Sequence, residues 1–407
     1  MTKMIKKVKT AIIGSGAISY TYLKNMTANF SITDVVGCSD LIEQRSRSRA
    51  EQFGIRMMTN DEILNDSDIE IVVNLTYPLS HYEVTKAALN AGKHVYTEKM
   101  LATNYKAGKE LYDLAKKSNL RIGNAPDTFL GAGLQTARKL IDSGFIGVPF
   151  AAQAMVIRGY HLTGEEKENR LPFICHDGGS ISYDMGGYYI HALVSLLGPI
   201  KRVAGFTRPF LPEMFQRNPR HPDYHKPIEF DAYTILSSSL EFHNGVLGTF
   251  TAVSESHVME IPRLEIYGTE GTLILPDPNT FTGPVYLTRD REYLMHGVNH
   301  DKYKSIPLTH GYGNISTPDP GVGSWEERIW RDCHRGVGVA DMAWAIRNNR
   351  AHRCSAELGL HAIEVIYGIE QSHKTEKFYS LISKPDQPAA IPSGYILGTA
   401  AEECLDT

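Results

Sequence analysis

Residues 8–19 read VKTAIIGSGAIS, an apolar run that ends in a glycine-rich turn and is followed by residues that favour a helix. The run from Val8 to Ile13 has the length and the near-continuous apolar character of a buried strand. Gly14 permits a tight turn after this strand, and Gly16 lets the main chain approach a ligand closely where the helix begins. The order of strand, glycine turn and helix predicts the first unit of a doubly wound α/β fold.

The alternation of strand and helix continues to about residue 126. Between the apolar runs lie segments long enough for about three helical turns, and Gly54, Gly92 and Asn119 stand where such helices should stop. The predicted strands are VKTAII, DVVGCS, IEIVVNL, KHVYT and LRIGN. Strands that are apolar throughout are typical of a parallel sheet covered on both faces, so we expect right-handed β-α-β crossovers.

The turn GSGAIS follows the pattern of dinucleotide-binding turns, with the small Ser19 in place of the third glycine. Amide groups at the start of the following helix can bind a pyrophosphate. The residues predicted to contact the cofactor here are Gly14, Gly16, Ala17 and Ile18.

Asp40 ends the run CSD, 21 residues beyond Ser19. A carboxylate in that place can accept both ribose hydroxyls of NAD and repels the 2′-phosphate of NADP. NAD is therefore favoured over NADP, although Arg45, Arg47 and Arg49 follow closely. The alternative is an aspartate in a solvent-exposed turn.

Length and composition exclude several classes of protein. A chain of 407 residues is longer than one core usually serves, so two domains are expected. We predict a Rossmann domain over residues 1–126, a second domain over 127–383, and an irregular tail over 384–407. A formal net charge of −4 gives no general attraction to nucleic acid or to an anionic membrane surface.

The cysteines and the apolar runs indicate the compartment. Five scattered cysteines without a C-x-x-C pair argue against a disulfide framework and against a structural zinc site, so no metal is expected. The apolar run at the N-terminus is cut off by Gly14 before secretory length, and no run approaches the roughly 20 apolar residues that span a bilayer. We therefore expect a soluble protein of the cytoplasm.

Two polar stretches follow predicted elements. Lys99, in EKM, comes after a strand, where the ligands of an open parallel sheet bind. There it can hydrogen-bond a substrate hydroxyl, and beside a nicotinamide cation its pKa would fall; an ordinary exposed lysine is the alternative.

Residues 184–191 read DMGGYYIH. On a helix, Tyr188 lies roughly 40° around from Asp184 and His191 roughly 20° the other way, so these three share a face. Near a helix N-terminus, the dipole would keep Asp184 ionised.

Several stretches together resemble the Gfo/Idh/MocA family, named for glucose-fructose oxidoreductase and inositol dehydrogenase. They are AIIGSGAIS, CSD, NLTYPLSHYEVTKAALNAGKHVYTEKM, DTFLGAGLQTARKLIDSGFIG and GGSISYDMGGYY, and they extend over nearly the whole chain. The resemblance implies a Rossmann domain joined to a C-terminal α/β domain whose open sheet faces the cofactor and often forms the oligomer interface. Hairpins predicted at Asn244–Gly245 and at the GTEG turn favour a largely antiparallel sheet there.

The resemblance also implies site residues. The family's E-K-P falls on Glu98, Lys99 and Met100, which makes Lys99 the catalytic lysine and places Glu98 at the cofactor. The family's aspartate, followed four residues later by histidine or tyrosine, falls on Asp184 and Tyr188. Members mostly oxidise or reduce secondary hydroxyls of sugars and inositols with NAD(P), without a metal, so a small carbohydrate or glycoside substrate and a homo-oligomer are expected.

Two residues compete as the base that takes the proton of the substrate hydroxyl. A tyrosine has an unperturbed pKa near 10 and needs a nearby cation, which Lys99 and an oxidised nicotinamide would supply for Tyr188. His191 needs no such help and remains the rival, or a substrate ligand. Further candidates for substrate contact are Asp127, His161 and His176, although Asp127 can equally cap the helix TFLGAGLQTARKL. The proline-rich residues 206–230 are predicted to form a loop over the site.

These features predict an NAD-dependent dehydrogenase acting on a secondary hydroxyl of a sugar, glycoside or cyclic polyol. The DMGGYY form resembles a branch associated with pyranose and glycoside oxidation, which favours C3 of a glucoside. Two alternatives remain. One is an NAD-assisted cleavage of a glycosidic bond through a transient 3-keto intermediate. The other is a dinucleotide-sensing regulator that has lost the chemistry.

Overall fold

The computed structural model describes residues 6–159, 174–176, 178–209, 213–216, 218–257, 263–289, 303–310 and 334–393. Its first part is a six-stranded parallel sheet with the strand order β3-β2-β1-β4-β5-β6. The strands are β1 Val8–Ile13, β2 Thr33–Ser39, β3 Arg56–Met57, β4 Ile71–Asn74, β5 His94–Thr97 and β6 Ile122–Asn124. The five strands predicted from apolar runs are confirmed, and the two-residue β3 was not predicted because it is too short to show a pattern.

Helices cover this sheet, and their ends follow from local chemistry. They are α1 Ser19–Ala28, α2 Glu43–Phe53, α3 Asn60–Asn65, α4 His81–Asn90 and α5 Tyr105–Lys117. Gly54 ends α2 in the left-handed conformation that glycine adopts at low cost, as predicted. The short α3, which was not predicted, begins with a capping box between Thr59 and Glu62.

The second part is an open nine-stranded sheet with the order β16-β15-β14-β13-β7-β12-β11-β8-β17. All of its neighbouring pairs are antiparallel except β7 with β12, so the prediction of a largely antiparallel sheet is confirmed. The strands are β7 Pro149–Ile157, β8 Ile200–Arg208, β11 Ile235–Phe242, β12 Leu247–Val253, β13 Arg263–Gly268, β14 Gly271–Leu275, β15 Val285–Thr288, β16 Lys304–Ile306 and β17 Tyr379–Ser380.

Four further helices join the two sheets. They are α6 Ala132–Asp142, α7 Ser180–Leu197, α8 Val337–Arg347 and α9 Ala356–Thr375. Helix α9 packs on β8 of the second sheet and on α5 of the first domain, and α7 packs on α9 and on β7 and β12. Because α7 and α9 are enclosed in this way, nearly all their apolar side chains are buried.

Helix α8 comes late in the chain yet packs on the first sheet. It contacts β6, and Arg347 on its last turn pairs with Glu70 at 2.6 Å. The chain therefore returns to the first domain after completing most of the second sheet. The division at residues 126 and 383 stays a prediction.

The stretch 206–230, predicted to be a loop, contains a small antiparallel hairpin instead. Strands β9 Met214–Phe215 and β10 Pro227–Ile228 form it. Met214 and Ile228 pack with Ile174 and with Tyr77, which follows β4 and lines the site described below. None of the helices in the described ranges is long and apolar enough to cross a membrane.

Candidate active site

A cavity of about 750 Å³ opens where the strands of the first sheet end. Its walls include Gly14 after β1, Asp40 after β2, and Glu98 and Lys99 after β5. Tyr188 of α7 closes it from the second domain. The cavity thus lies in the crevice at the carboxyl ends of parallel strands, where open α/β sheets bind ligands.

The glycine turn is shaped by the close approach of two chains. Gly14 has φ +103°, and a Cβ added there would lie 2.5 Å from the main-chain carbon of Leu75. A Cβ added to Gly16 would meet no protein atom within 4 Å, because that face opens into the cavity. The two glycines therefore serve different purposes: the first allows the turn, and the second leaves room for a ligand.

Asp40 is held at the wall of the cavity by main-chain amides. Its two carboxylate oxygens accept hydrogen bonds from Ser15 N at 2.7 Å and from Ile42 N at 2.8 Å. Of the three arginines that follow, Arg45 lines the cavity, while Arg47 pairs with Glu43 and Arg49 donates to the Ser19 hydroxyl at 3.2 Å. The turn and this carboxylate fit a dinucleotide with free ribose hydroxyls, so the residues present suit NAD.

Lys99 and Asp184 meet across the domain boundary. Lys99 Nζ donates to Asp184 Oδ1 at 2.5 Å and to the Asp184 carbonyl at 2.9 Å. Burial by itself would lower the pKa of Lys99, but the Asp184 carboxylate, with Tyr188 and Glu98, outweighs burial and raises that pKa above its usual value. The surrounding protein groups therefore raise the pKa of Lys99, opposite to the fall predicted beside a nicotinamide cation, and Lys99 is an ammonium.

Helix α7 begins one turn earlier than the sequence suggested. It starts at Ser180, with Gly179 at its N-cap, so Asp184 is not in the first turn and the free amides there do not hold its charge. The expectation that the helix dipole keeps Asp184 ionised is wrong, because the Lys99 ammonium fulfils that role. All of the helix is buried, which also rules out a polar side that merely meets water.

The cation in direct contact with the Tyr188 hydroxyl is Arg335. Arg335 Nη2 donates to Tyr188 Oη at 2.6 Å, whereas Lys99 Nζ lies 5.3 Å from the centre of the tyrosine ring. Arg335 precedes α8, and nothing in the pattern of charges around it sets it apart in the sequence. The glycine that follows it, Gly336, was the one local signal, because glycine often stands at a helix boundary.

Glu98 links Arg335 to the first domain. Its Oε1 accepts a hydrogen bond from Tyr22 Oη at 2.8 Å and lies 3.5 Å from Arg335 Nη1. Burial opposes the charge of Glu98, but Arg335 and Lys99 lower its pKa below the usual value. Glu98 is thus a buried carboxylate between two cations.

His191 lies away from the cavity. Its Nδ1 lies 3.1 Å from the carbonyl of Pro126, its ring packs edge-on against Phe129, and burial lowers its pKa to about 4. Although it shares a helix with Asp184 and Tyr188, it is not among the described residues that line the cavity. Helix packing therefore separates the two residues that competed as base.

Asp127 caps a helix other than the one predicted. Its Oδ2 accepts hydrogen bonds from Gly336 N at 2.9 Å and Gly338 N at 3.1 Å, at the start of α8. Burial raises its pKa to about 6, although Arg335 and the two amides favour the carboxylate. The alternative that Asp127 caps TFLGAGLQTARKL is wrong, because no side-chain cap is made there.

The remaining candidates are separate from this centre. The side chain of His176 is 51% exposed and its Nδ1 lies 3.3 Å from Asp231. His161 falls outside the described residues. Within the described ranges, no group of three or more histidine, cysteine, aspartate or glutamate residues is placed to hold a metal ion.

Family models match most of both domains. Residues 8–125 match a model described as an oxidoreductase family with an NAD-binding Rossmann fold. Residues 134–274 match the GFO/IDH/MocA C-terminal domain.

Curated relatives match over part of their length. An uncharacterized oxidoreductase of Schizosaccharomyces pombe is 33% identical over 198 residues, which are 47% of this chain and 52% of that protein. The scyllo-inositol 2-dehydrogenase (NAD(+)) of Bacillus subtilis is 23% identical over 280 residues, 67% of this chain and 75% of the relative. The chain spans about half the length of the first curated relatives that it matches, 52% to 55%.

Solved structures share the fold over nearly the whole chain. Levoglucosan dehydrogenase in complex with NADH and levoglucosan superposes with a TM-score of 0.73 at 20% identity, covering 93% of this chain and 100% of that one. An NAD binding oxidoreductase from Klebsiella pneumoniae gives a TM-score of 0.73 at 20% identity, covering 92% and 99%. At this identity the likeness concerns the fold alone.

Proposed function

We propose, since this chain belongs to the GFO/IDH/MocA family of oxidoreductases with an NAD-binding Rossmann fold, that it oxidises a secondary hydroxyl of a sugar, glycoside or cyclic polyol. The observation that carries the proposal is the meeting of Lys99, Asp184 and Tyr188 in one cavity that begins at the glycine turn. NAD, when bound, supplies the acceptor for the hydride.

Lys99 orients the substrate hydroxyl. An ammonium has three donor hydrogens, and Asp184 takes two of them through its carboxylate and its carbonyl. The third can donate to a substrate oxygen in the cavity. Asp184 is the group that holds Lys99 in this geometry, so it acts on the substrate through the lysine.

Tyr188 takes the hydroxyl proton as the carbon gives up its hydride. Tyr188 lines the cavity together with Lys99, and its hydroxyl oxygen accepts a hydrogen bond from Arg335. His191 is not the base in this scheme, because its imidazole faces the Pro126 carbonyl and is buried away from the cavity.

The substrate proposal is a polyhydroxylated ring, with C3 of a glucoside as the favoured carbon. It is supported by the DMGGYY form of α7 and by the relatives, whose names include inositol 2-dehydrogenase and D-xylose dehydrogenase. The cavity has room for a dinucleotide and supplies hydrogen-bonding groups near Lys99, including Asn279 and Arg335.

We also propose a homo-oligomer through the outer face of the nine-stranded sheet. Small hydroxyl side chains of β11 and β12, such as Ser237 and Thr249, are exposed there and carry no charge. Small uncharged side chains at the centre of an exposed sheet face suit packing against a second copy. Light scattering of the purified chain tests this, and a monomer at all concentrations contradicts it.

The experiment that tests the activity follows NADH absorbance with NAD or NADP and panels of inositols, free aldoses and simple glucosides, with mass spectrometry of the products. We expect a rise with one class of substrate. Lys99→Ala should reduce turnover at least about a hundredfold, the low end for a positioned acid-base group. Lys109→Ala is the matched control, because Lys109 is an exposed lysine paired with Asp113 outside the cavity.

Other outcomes would replace the proposal. A freed aglycone or a keto sugar without net NADH would indicate that the cofactor is recycled during glycoside cleavage. Tight NAD binding without turnover of any sugar would indicate a regulator. A Lys99→Ala variant as active as Lys109→Ala would contradict the assigned role of the lysine.

A further inference from the structure

Arg335 reaches the cavity from a part of the chain far from the other site residues. It lies 147 positions from Tyr188 and 237 from Glu98, and only 5% of it is exposed. The peptide group that follows it is hydrogen-bonded at both of its polar atoms: the Arg335 carbonyl accepts from Asn25 Nδ2 at 2.8 Å, and the Gly336 amide donates to Asp127 at 2.9 Å. The main chain at Arg335 is thus held in place.

Three oxygens surround that guanidinium. Nη2 donates to Tyr188 Oη at 2.6 Å and lies 3.5 Å from Asn279 Oδ1, while Nη1 lies 3.5 Å from Glu98 Oε1. Its carbon also lies 5.5 Å from the centre of the Tyr188 ring. The shortest of these contacts is the one to the phenol oxygen.

We propose that Arg335 is a positioning residue for the proposed dehydrogenation, which orients Tyr188 and supplies the positive charge that lets its oxygen act as the base. This inference rests on the proposed function. A guanidinium does not lose its proton under working conditions, so the donor is always present. Lys99 does not take this place, because its ammonium donates twice to Asp184 and lies 5.3 Å from the centre of the Tyr188 ring.

Other titratable groups lie around Arg335 and Tyr188. They are Lys99 and Glu98 after β5, Asp184 on α7, Tyr22 on α1 and Asp127 after β6. The three carboxylates oppose a charge on the phenol, and Lys99 and Arg335 favour it. Removal of Arg335 therefore increases the excess of negative charge around Tyr188.

The test compares Arg335→Gln and Arg335→Lys by the pH profile of kcat/KM. A base must be unprotonated to act, so the acid limb of the pH profile of kcat/KM reports the pKa of that base. We expect Arg335→Gln to move that limb at least about one pH unit upward and to lower kcat/KM at neutral pH at least about tenfold, with recovery at higher pH. Arg335→Lys should retain part of the effect, because it keeps the charge but not the planar donor.

Arg347→Gln is the matched control. Arg347 lies on α8, and it pairs with Glu70 on the far side of the first sheet from the cavity opening. We expect Arg347→Gln to lower the free energy of unfolding and to leave the acid limb of the pH profile unchanged. An Arg335→Gln variant whose activity falls equally at every pH, as expected for a purely structural role, would overturn the inference.

A second readout does not need turnover. The ultraviolet absorbance of tyrosinate is titrated in the NAD-bound protein, and the contribution of Tyr188 is isolated by subtracting a Tyr188→Phe variant. We expect this signal to begin at higher pH in Arg335→Gln than in the unaltered protein. An unchanged titration would refute the inference whether or not a substrate is known, and absence of turnover with an altered titration would refute only the proposed function.

Discussion

The ammonium of Lys99 donates to both the carboxylate and the main-chain carbonyl of Asp184, at 2.5 and 2.9 Å. Two domains are joined at this contact, because Lys99 follows β5 and Asp184 lies on α7. The pair is mostly buried, with side-chain exposures of 19% and 8%. It therefore contributes to the fold as well as to the proposed chemistry.

The charges of Lys99 and Asp184 should be coupled in the free energy of unfolding, which only a double substitution can show. Asp184→Leu leaves the Lys99 ammonium in a buried place without its carboxylate, and we expect a loss of about 3 kcal/mol in the free energy of unfolding. The double variant Lys99→Met with Asp184→Leu removes both charges and should lose less than Asp184→Leu does. Urea unfolding measures all the variants. Strictly additive losses would show that the two charges are not coupled.

Asp40 should determine the choice of cofactor. Asp40→Ser removes a charge-assisted acceptor for the ribose hydroxyls and the carboxylate that repels a 2′-phosphate. We expect the Kd for NADH to rise about tenfold or more, with NADPH binding improved, as measured by cofactor fluorescence. Arg47→Gln is the control, since Arg47 pairs with Glu43 outside the cavity. Equal effects on both cofactors would contradict this role.

Substitutions at Gly14 and Gly54 allow the cost of backbone strain to be measured apart from the cost of a steric clash. Both have positive φ, +103° and +65°, but a Cβ at Gly14 would press on Leu75 while one at Gly54 would meet nothing within 4 Å. Gly54→Ala should cost about 1 kcal/mol of stability and leave cofactor binding intact. Gly14→Ala should cost more and abolish NAD binding, because the turn must move. Thermal unfolding and cofactor titration distinguish these outcomes. Similar stability and similar NAD binding of the two variants would contradict the different roles assigned to Gly14 and Gly54.

His191 should matter for stability and little for turnover. His191→Gln removes a hydrogen bond to Pro126, so we expect a loss of about 1 kcal/mol in stability and less than a tenfold fall in kcat/KM. The comparison is Tyr188→Phe, which should lose at least about a hundredfold. A His191 variant that is as inactive as Tyr188→Phe would restore histidine as the base.

Buried histidines predict a loss of stability in mild acid. Burial lowers the pKa of His191 and His334 to about 4 and that of His361 to about 3, all from 6.5. The unfolded chain therefore binds more protons than the folded one below about pH 6.5, and stability falls as the pH falls from there toward about 4. Asp127, whose folded pKa is raised to about 6, acts in the opposite direction, since its contribution is lost as the pH rises.

Urea unfolding at several pH values between about 6.5 and about 4 measures how steeply the free energy of unfolding depends on pH. Each histidine contributes up to about 1.4 kcal/mol per pH unit. His191→Gln should therefore reduce the slope. An unchanged slope in His191→Gln would show that this histidine is not buried in its neutral form.

Local patterns in the sequence were enough for the first sheet. The strand at Val8–Ile13, the turn at Gly14 and the stop at Gly54 depend on neighbours within a few residues, and the structure has them as predicted. The hairpin at Asn244–Gly245 joins β11 and β12 as expected, for the same reason. Gly179, in the glycine pair before Asp184, is the N-cap of α7, so the helix begins one turn before the stretch DMGGYYIH.

The sequence by itself determined the fold class and the family resemblance, because each follows from short motifs or a repeated period. The tertiary structure decided which cation meets Tyr188, which amides donate to the Asp127 carboxylate, and that His191 lies away from the cavity. These contacts join residues up to 211 positions apart, through the packing of α7 and α8 between two sheets. Pairings at such separation leave no local period in the sequence, so only the folded chain brings them together.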